Sequence, residues 1–387
     1  MRILYTAIDQ AVPSSHGGAV HVTAVAEGLA ALGHDMHVLV SPGEGSSSDA
    51  VHWASMPPPF GLRQLRLARA PAVIRRARKI QPDVVMERYY NFGGEGLLAA
   101  RRVGAIAVLE VNAPVVDYPG SLKARLDRLL LARPLERWRN WQCRASDLIV
   151  TPTAKILPLD VVRGRILEAE WGGDVERFRP DVVGPVPFRR DAGESIVVFV
   201  GAFRAWHGAA QLVEAVRQLR ARGRSDIKVV LIGSGPEFAA VSAAAAGIPG
   251  IVLTGALKHD AVPACLAAAD VGVAPFDVSR HPALALDFFW SPLKIFEYMA
   301  SGLPVVVPRI PRMAQIVRDG LEGFLYDAGD PGALSAAIER AVDAAGRVRI
   351  GAAARARVVE HFSWQGHCVA LDAAIRAAAG AKRCASR

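Results

Sequence analysis

The sequence has little cysteine and no long apolar run. Its 387 residues include four cysteines, at Cys143, Cys265, Cys368 and Cys384. No two of them form a CxxC pair, so the usual zinc and redox motifs are excluded and reduced, cytosolic thiols are expected. No stretch reaches about 18 apolar residues, and the apolar start before Asp9 is too short for a secretory signal. We therefore expect a soluble, cytoplasmic protein that can still rest on a membrane.

Acidic residues are scarce relative to basic ones. Asp and Glu number 37 against 46 Lys and Arg, which gives a net charge of +9. This excess favours anionic partners: nucleotides, nucleic acid or a membrane surface. Because no nucleic-acid recognition motif accompanies the charge, we do not expect nucleic-acid binding. At about 150 residues per domain, the length predicts two or three domains.

Short apolar runs alternate with helical patterns along nearly the whole chain. They predict strands at 2–8, 36–41, 83–87, 106–111 and 147–151, and then at 195–201, 227–233, 251–254, 271–275, 304–307 and 323–326. Alternation of this kind predicts parallel sheets covered by helices on both faces, the α/β class. A stretch rich in Pro, Gly and charge at 179–194 predicts a linker between two doubly wound halves.

The most informative segment is SPLKIFEYMASGLP, at 291–304. Ser291 suits the N-cap and Pro292 the first helical position, while Gly302 suits the residue just after the helix end. The spacing therefore predicts a short helix over 293–300.

Lys294 and Glu297 share one face of that predicted helix. The helix start, the Ser291 hydroxyl and the Lys294 cation suit phosphate oxygens, and Glu297 suits the two hydroxyls of a ribose. The alternative is an ordinary capped helix whose Lys–Glu pair forms a solvated salt bridge.

The segment SPLKIFEYMASGLPVV, followed by DGLEGFLYDAGD, resembles the donor-binding region of retaining glycosyltransferases of family 4. Other segments resemble that family in the same order: PSSHGGAVHV, WGGDVERFRP, VFVGAFRAWHG, LIGSGPE, VLTGALKHDAVPACLAAADVGVAPF and FSW. The resemblance covers nearly the whole chain. It is strongest over 195–329 and weakest over 43–144.

The resemblance implies the GT-B architecture, in which two Rossmann-like doubly wound domains face a central cleft. It implies an acceptor-binding domain at 1–183, a nucleotide-sugar-binding domain at 184–362 and a C-terminal helix at 363–387 that crosses back to the first domain. The implied reaction moves a sugar, with retained stereochemistry, from a nucleotide-diphosphate sugar to a small-molecule or lipid-linked acceptor. No cofactor or metal is expected, because the leaving diphosphate can take the acceptor proton and no DxD motif or His/Asp cluster stands out.

The same resemblance implies a set of site residues by position. The expected donor site comprises Gly17, Gly18, Arg204, His207, Leu257, Ser291, Lys294 and Glu297. The expected acceptor site rests mainly on position in the predicted sheet: Arg88, Tyr89 and Glu110 lie at the ends of two strands, where their polar groups suit a polyhydroxylated or aminated acceptor. Asn112 joins them from the resemblance, and His16 because it precedes the glycine pair. Arg204, Lys294 and Asn112 are the expected catalytic residues, the two cations stabilising charge on the diphosphate. Leu257 is expected beside the base, with a UDP-linked donor favoured over a GDP-linked one. For His16 and Tyr89 the alternatives are a plain loop histidine and a packing tyrosine.

The chain departs from the family pattern at three positions. Phe289 stands where the family usually has Glu, and Asp287 is nearby but out of register, so contacts to the donor sugar differ. His207 replaces the usual Lys, with Arg204 expected to supply the charge; the alternative is a packed or exposed imidazole. Asn112 replaces the usual His, and an amide can bond a sugar hydroxyl but cannot act as a base at neutral pH.

Basic residues cluster at 63–79 and 123–144. Amphipathic basic helices can rest on anionic lipid, and the alternative is an ordinary solvated helix face. Two other functions stay open: a nucleotide-sugar epimerase or hydrolase on the same fold, and a non-catalytic protein that binds nucleotide sugars or scaffolds at a membrane. A nicotinamide dehydrogenase is not expected, because DQAVPSSHGGA lacks the G-x-G-x-x-G spacing. The sequence leaves the donor sugar, the acceptor, the linkage and the oligomeric state open.

Overall fold

The computed structural model describes residues 1–14, 16–44, 48–130, 133–286 and 288–385. They form two compact units. The first unit comprises Met1–Trp171, Phe289–Ser291 and Trp364–Arg387, and the second comprises Gly172–Phe288 and Pro292–Ser363. Each unit contains one parallel sheet with helices packed against it, which confirms the predicted α/β class.

The first unit is built on a seven-stranded parallel sheet. Its strands are β1 (Arg2–Val12), β2 (Asp35–Pro42), β3 (His52–Ser55), β4 (Val84–Arg88), β5 (Ile106–Glu110), β6 (Leu148–Thr151) and β7 (Ile166–Glu168), in the order β3-β2-β1-β4-β5-β6-β7. Its first five helices are α1 (Gly17–Ala31), α2 (Ala70–Ile80), α3 (Glu95–Val103), α4 (Leu122–Leu129) and α5 (Pro134–Ala145). The central strands are buried on both faces over most of their length, as expected for a covered parallel sheet.

The second unit is built on a six-stranded parallel sheet. Its strands are β8 (Ser195–Val200), β9 (Ile227–Ile232), β10 (Ile251–Gly255), β11 (Val271–Val273), β12 (Val305–Pro308) and β13 (Gly323–Tyr326), in the order β10-β9-β8-β11-β12-β13. Its helices are α6 (Ala209–Ala221), α7 (Phe238–Ala245), α8 (Val262–Ala267), α9 (Leu293–Ala300), α10 (Pro311–Ile316), α11 (Pro331–Asp343) and α12 (Arg347–His361).

The last helix, α13 (Trp364–Ala385), packs on α1 in the first unit. Gly28 of α1 makes room for Cys368, because a Cβ on Gly28 would lie 2.4 Å from the Cys368 Sγ atom. Asp372 lies 2.9 Å from the His34 Nε2 atom, which adds a polar contact to this packing. Among the described residues, no helix has both the length and the apolar character needed to cross a membrane.

The strands predicted from apolar runs are confirmed to within a few residues. The strands β3 and β7 were not predicted. Both are edge strands whose residues are half-buried or exposed, so their sequences, HWAS and ILE, lack a bounded apolar run of the usual length.

Candidate functional site

Helix α9 carries the motif that the sequence singles out. It spans the predicted residues, but the predicted N-cap is wrong: the N-cap is Pro292, and no side chain caps the helix. The Ser291 hydroxyl instead donates to Glu170 Oε2 at 2.7 Å and accepts the Trp171 N–H at 2.9 Å, within the first unit. The first N–H groups of α9 therefore have no side-chain acceptor from a cap.

The end of α9 follows the prediction. Gly302 has a φ of 75°, its N–H donates to the Met299 carbonyl at 3.0 Å, and the Leu303 N–H donates to the Tyr298 carbonyl at 3.0 Å. This paired arrangement closes the helix and needs a left-handed residue at Gly302. The short helix is thus fixed at its C-terminal end by its own backbone.

The Lys294 ammonium is buried against aromatic rings beside Gly201. Its Nζ atom lies 4.6 Å from the Phe199 ring centroid and 5.2 Å from that of Phe276. It has no hydrogen-bond partner among the described residues, and burial lowers its pKa to about 7. A Cβ on Gly201 would lie 2.8 Å from this Nζ and 3.0 Å from Nδ1 of His207. Two buried nitrogens therefore face one glycine.

His207 is also buried, and its Nδ1 atom has no hydrogen-bond partner in the described part of the chain. Burial lowers its pKa to about 2, and the positive charges of Lys294 and Arg204 add to the shift. The imidazole is therefore neutral near pH 7. Buried polar atoms are nearly always hydrogen-bonded in native proteins, so an unpartnered pair at one place indicates a ligand site.

A second helix, α6, begins just after His207. Arg204 is exposed just before a short turn, and Gly208 forms the N-cap of α6 with a φ of 75° and no capping side chain. A Cβ on Gly208 would lie 1.7 Å from the Pro275 carbonyl oxygen, so this position requires glycine.

Glu297 lies one turn further along α9 and is half-buried. Burial raises the pKa of its carboxyl group to about 7, against the opposing charges of Lys294 and Arg177. No salt bridge joins Lys294 and Glu297 in the described residues, so the alternative of a solvated ion pair is not found. The two side chains are available for different parts of a ligand.

Leu257 and Phe289 occupy the two other positions in the second half of the sequence that were expected to bear on donor binding. Leu257 is half-buried in the loop that follows β10. Phe289 is buried against Trp290, with ring centroids 4.5 Å apart, so this chain presents an aromatic ring where the family usually has a carboxylate. Asp287 lies outside the described residues.

The glycine-rich loop places its two glycines at the start of α1, in the first unit. The helix begins at Gly17, and His16 is an exposed N-cap whose side chain does not cap the helix. The His16 Nδ1 atom instead lies 2.8 Å from the Ser14 hydroxyl oxygen. A Cβ on Gly18 would lie 2.2 Å from Gln10 Oε1, so the glycine allows the Gln10 side chain to approach the helix closely.

Glu110 is at the centre of a buried polar network that the sequence did not predict. Its carboxylate lies 2.7 Å from Arg88 Nη1 and 2.6 Å from His21 Nε2, and it accepts hydrogen bonds from Tyr5 and Asn112. Burial lowers the pKa of His21 to about 4. Burial alone would raise the Glu110 pKa, but the neighbouring His21 and Arg88 hold it well below its usual range. We infer an ionised Glu110 balanced by Arg88.

Asn112 is fixed from two sides. Its amide N–H donates to Glu110, and its amide oxygen accepts the Trp171 Nε1–H at 2.9 Å. The Trp171 ring in turn packs 4.3 Å from the His21 ring, centroid to centroid, and the Arg88 guanidinium carbon lies 5.6 Å from the Trp171 ring centroid. Of the expected acceptor residues, the structure therefore brings Arg88, Glu110 and Asn112 together.

Tyr89 is separate from this network. It is buried, and its hydroxyl donates to Asn91 Oδ1 at 2.9 Å, an arrangement that fits the packing alternative. The basic stretches also contribute to the interior: the buried Arg66 pairs with Asp9 and Glu95. Part of the positive charge in those stretches is therefore balanced inside the first unit.

One group of three potential metal ligands occurs among the described residues: Asp35, His37 and His52. The sequence did not reveal it, because His37 and His52 are paired across two parallel strands. The Asp35 Oδ1 atom lies 3.2 Å from His37 Nε2 and 3.5 Å from His52 Nε2. Arg2 already binds the other oxygen of Asp35 at 2.8 Å, and Arg76 adds positive charge near His37, which disfavours a divalent cation.

Comparisons with known proteins agree with the motifs. Residues 194–344 match the family described as "Glycosyl transferases group 1", and residues 15–157 match "Glycosyltransferase Family 4". The chain is 25% identical over 394 residues to a GDP-mannose-dependent alpha-mannosyltransferase of Corynebacterium glutamicum, covering 96% of this chain and 87% of that protein. It is 32% identical over 344 residues to a D-inositol 3-phosphate glycosyltransferase of Geodermatophilus obscurus, covering 82% and 72%. The fold is similar to that of sucrose-phosphate synthase from Thermosynechococcus elongatus, with a TM-score of 0.72, 19% identity and coverage of 98% and 99%.

Proposed function

Since this chain belongs to the group 1, family 4 glycosyltransferases and has the GT-B fold, we propose that it transfers a sugar from a nucleotide-diphosphate sugar with retained stereochemistry and without a metal ion. The acceptor is a hydroxyl or other nucleophile of a small-molecule or lipid-linked compound. The observation that carries the donor part is the pair of unpartnered buried nitrogens, Lys294 Nζ and His207 Nδ1, that face Gly201.

A diphosphate satisfies both nitrogens at once. Its oxygens accept from the Lys294 ammonium and from an Nδ1–H tautomer of His207, and the free N–H groups at the start of α9 suit the same negative charge. Glu297, one turn further on, accepts hydrogen bonds from ribose hydroxyls. The exposed Arg204 supplies a mobile cation. These donors stabilise the charge that grows on the diphosphate as the bond to the sugar breaks.

The acceptor proton needs a base other than Asn112. The amide of Asn112 cannot take a proton at neutral pH, and both ends of it are held by Glu110 and Trp171. We propose that the bond from the sugar C1 to the diphosphate oxygen breaks, a bond from C1 to the acceptor oxygen forms on the same face, and the acceptor proton passes to the departing diphosphate. Asn112 then acts by bonding a sugar or acceptor hydroxyl.

We propose a cytoplasmic enzyme with a UDP-linked donor, and the GDP-linked donor is the direct competitor. The free thiols of Cys143, Cys265 and Cys368 are buried and fit a reducing compartment. The Corynebacterium glutamicum relative is named for GDP-mannose, so both bases belong in the same screen.

Thermal shift with UDP and GDP tests the donor site. A ligand that binds the folded state stabilises it by about 2.7 kcal/mol at a concentration 100 times its Kd. We expect one nucleotide to raise the Tm of the wild type, and Lys294→Ala to lose most of that shift. Lys79→Ala, an exposed lysine of α2, is the matched control and should behave as wild type. No Tm shift with either nucleotide would contradict the donor assignment.

Product analysis separates the transferase from the open alternatives. Donor alone should be stable, and sugar transfer should require an acceptor. Isomerised or free sugar formed without an acceptor, at a rate matching turnover, would instead establish an epimerase or a hydrolase. A non-catalytic binding protein would show the Tm shift but no product with any acceptor tried, including inositol phosphate and lipid-linked sugars.

A further inference from the structure

Four leucines of the α4 segment form a stripe that is exposed to solvent. The exposed fractions are 72% for Leu122, 47% for Leu126, 78% for Leu129 and 53% for Leu130. With about 3.6 residues per turn, these positions fall within an arc of about 100°. A surface helix normally turns such a stripe toward the core, whereas here it faces outward.

The opposite side of α4 is fixed to the first unit by polar contacts. Asp127 is buried and accepts the Leu135 N–H at 2.8 Å, and Arg139 Nη1 lies 3.4 Å from it. Lys123 Nζ donates to the carbonyls of Pro114 and Val115. The side of the helix that carries Lys123 and Asp127 is therefore the anchored side, and the leucine stripe is held outward.

Cations lie beyond one edge of the leucine stripe: Arg125 is about 40° and Arg128 about 100° around the helix from Leu129. Arg125 and Arg128 are exposed, and neither makes an ion pair within the described part of the chain. Arg133 is exposed as well, and its contact with Glu136 at 3.4 Å lies on the surface, where such pairs contribute little. The exposed face of α4 thus combines apolar side chains with net positive charge.

We propose that α4 is a docking helix for an anionic lipid bilayer. The leucines enter the boundary between headgroups and acyl chains, and Arg125 and Arg128 meet the lipid phosphates. A second copy of this chain fits the same surface less well, because it would bring the arginines of both copies together. Four partly exposed leucines also offer much less than the ~800 Å² per partner of a standard protein interface. Docking goes beyond the proposed transfer reaction and does not depend on it.

Vesicle co-sedimentation of the full chain tests the proposal. The probes are vesicles of phosphatidylcholine alone and of phosphatidylcholine with phosphatidylglycerol in equal amounts. We expect the apparent affinity to be at least tenfold higher for the anionic vesicles and to fall in 0.5 M salt. Equal binding to both vesicle types, or binding to neither, would overturn the proposal.

Two surface variants separate the apolar and charged contributions. L122S/L129S and R125E/R128E should each weaken binding to anionic vesicles at least tenfold. Leu159→Ser and Arg102→Glu change exposed residues outside the stripe and should bind as wild type. If L122S/L129S binds vesicles as wild type, or if its main effect is to dissolve a dimer seen by analytical ultracentrifugation, the lipid assignment is wrong. The nucleotide Tm shift, measured on every variant, reports folding and donor binding separately from docking.

Discussion

Lys294 and His207 direct their side-chain nitrogens at one position: a Cβ on Gly201 would lie 2.8 Å from Nζ of Lys294 and 3.0 Å from Nδ1 of His207. Two buried nitrogens at one place would repel each other if both were charged. Burial prevents this, because it lowers the pKa of His207 to about 2 and leaves a neutral ring. The pair therefore combines one titratable cation with one neutral imidazole ring.

Adding a methyl group at Gly201 should block the donor site. In Gly201→Ala, the new Cβ would crowd Lys294 Nζ and would also lie 2.9 Å from the Phe199 ring. We expect nucleotide-diphosphate affinity to fall at least tenfold in isothermal titration calorimetry. Overpacking of this kind should also lower the free energy of unfolding by about 1–3 kcal/mol.

Gly164 provides the matched control for that substitution. A Cβ on Gly164 meets no atom within 4 Å, and its φ is not left-handed. Gly164→Ala should therefore change the free energy of unfolding by less than about 0.5 kcal/mol and leave nucleotide affinity unchanged. Wild-type affinity in Gly201→Ala would show that the diphosphate binds elsewhere.

Donor affinity should rise as the pH falls through 7. The Lys294 pKa is lowered to about 7 in the free protein, and a bound diphosphate favours the protonated ammonium. Binding should therefore take up a proton above pH 7. A nucleotide-diphosphate sugar is the suitable ligand, because its diphosphate does not titrate near neutral pH.

Glu297 titrates in the same range, so the measurement is best made in Glu297→Gln. In that background the Lys294 pKa lies lower than in the wild type, because the Glu297 charge that raises it is gone. We expect affinity to change by up to tenfold per pH unit above that pKa and to level off below it. Isothermal titration calorimetry in buffers of different ionisation enthalpy measures directly how many protons are taken up on binding. Lys294→Met should bind weakly with no pH dependence; a flat profile with Lys294 present would refute its role as the titrating cation.

The limits of sequence-based prediction are clear at α9 and at Glu110. The helix bounds of α9 follow from local spacing and the glycine at 302, both of which are visible in the sequence. The N-cap was assigned wrongly because the Ser291 hydroxyl binds Glu170, which lies 121 residues away. Local propensity carries no information about such a tertiary partner.

The buried network could not be predicted for the same reason. His21 lies in a mainly apolar helix, and Glu110 ends a strand 89 residues later, so nothing local pairs them. The strand-end position pointed to Glu110 and the family resemblance to Asn112, but neither revealed that Arg88 and Tyr5 already hold the carboxylate. The parallel strands β1, β4 and β5 bring these residues together.

The contribution of Glu297 to the free energy of unfolding should change between pH 4.5 and 7. Burial raises the folded-state pKa of this carboxyl to about 7, above its ordinary value. The folded state then binds more protons than the unfolded state in this window. The contribution of Glu297 is therefore fully present below pH 4.5 and is lost as the pH rises through 7.

Urea denaturation of wild type and Glu297→Gln at several pH values measures that contribution. We expect the difference in unfolding free energy between the two proteins to change by no more than about 3 kcal/mol across the window, with the wild type losing stability relative to Glu297→Gln as the pH rises. Glu176→Gln, an exposed glutamate of the same unit, should follow the wild type. A difference that does not vary with pH would mean that the Glu297 carboxyl has the same pKa in the folded and unfolded states.

Removing the charge of Glu110 should destabilise the first unit strongly. Glu110→Gln would leave the Arg88 guanidinium buried without its carboxylate and would disturb the bond that orients Asn112. Breaking one side of a buried ion pair typically lowers the free energy of unfolding by about 3–5 kcal/mol. Glu136→Gln, which removes a surface partner of Arg133, should change it by less than about 1 kcal/mol. If Glu110→Gln unfolds in urea like Glu136→Gln, the buried pair of Glu110 and Arg88 does not stabilise the folded protein.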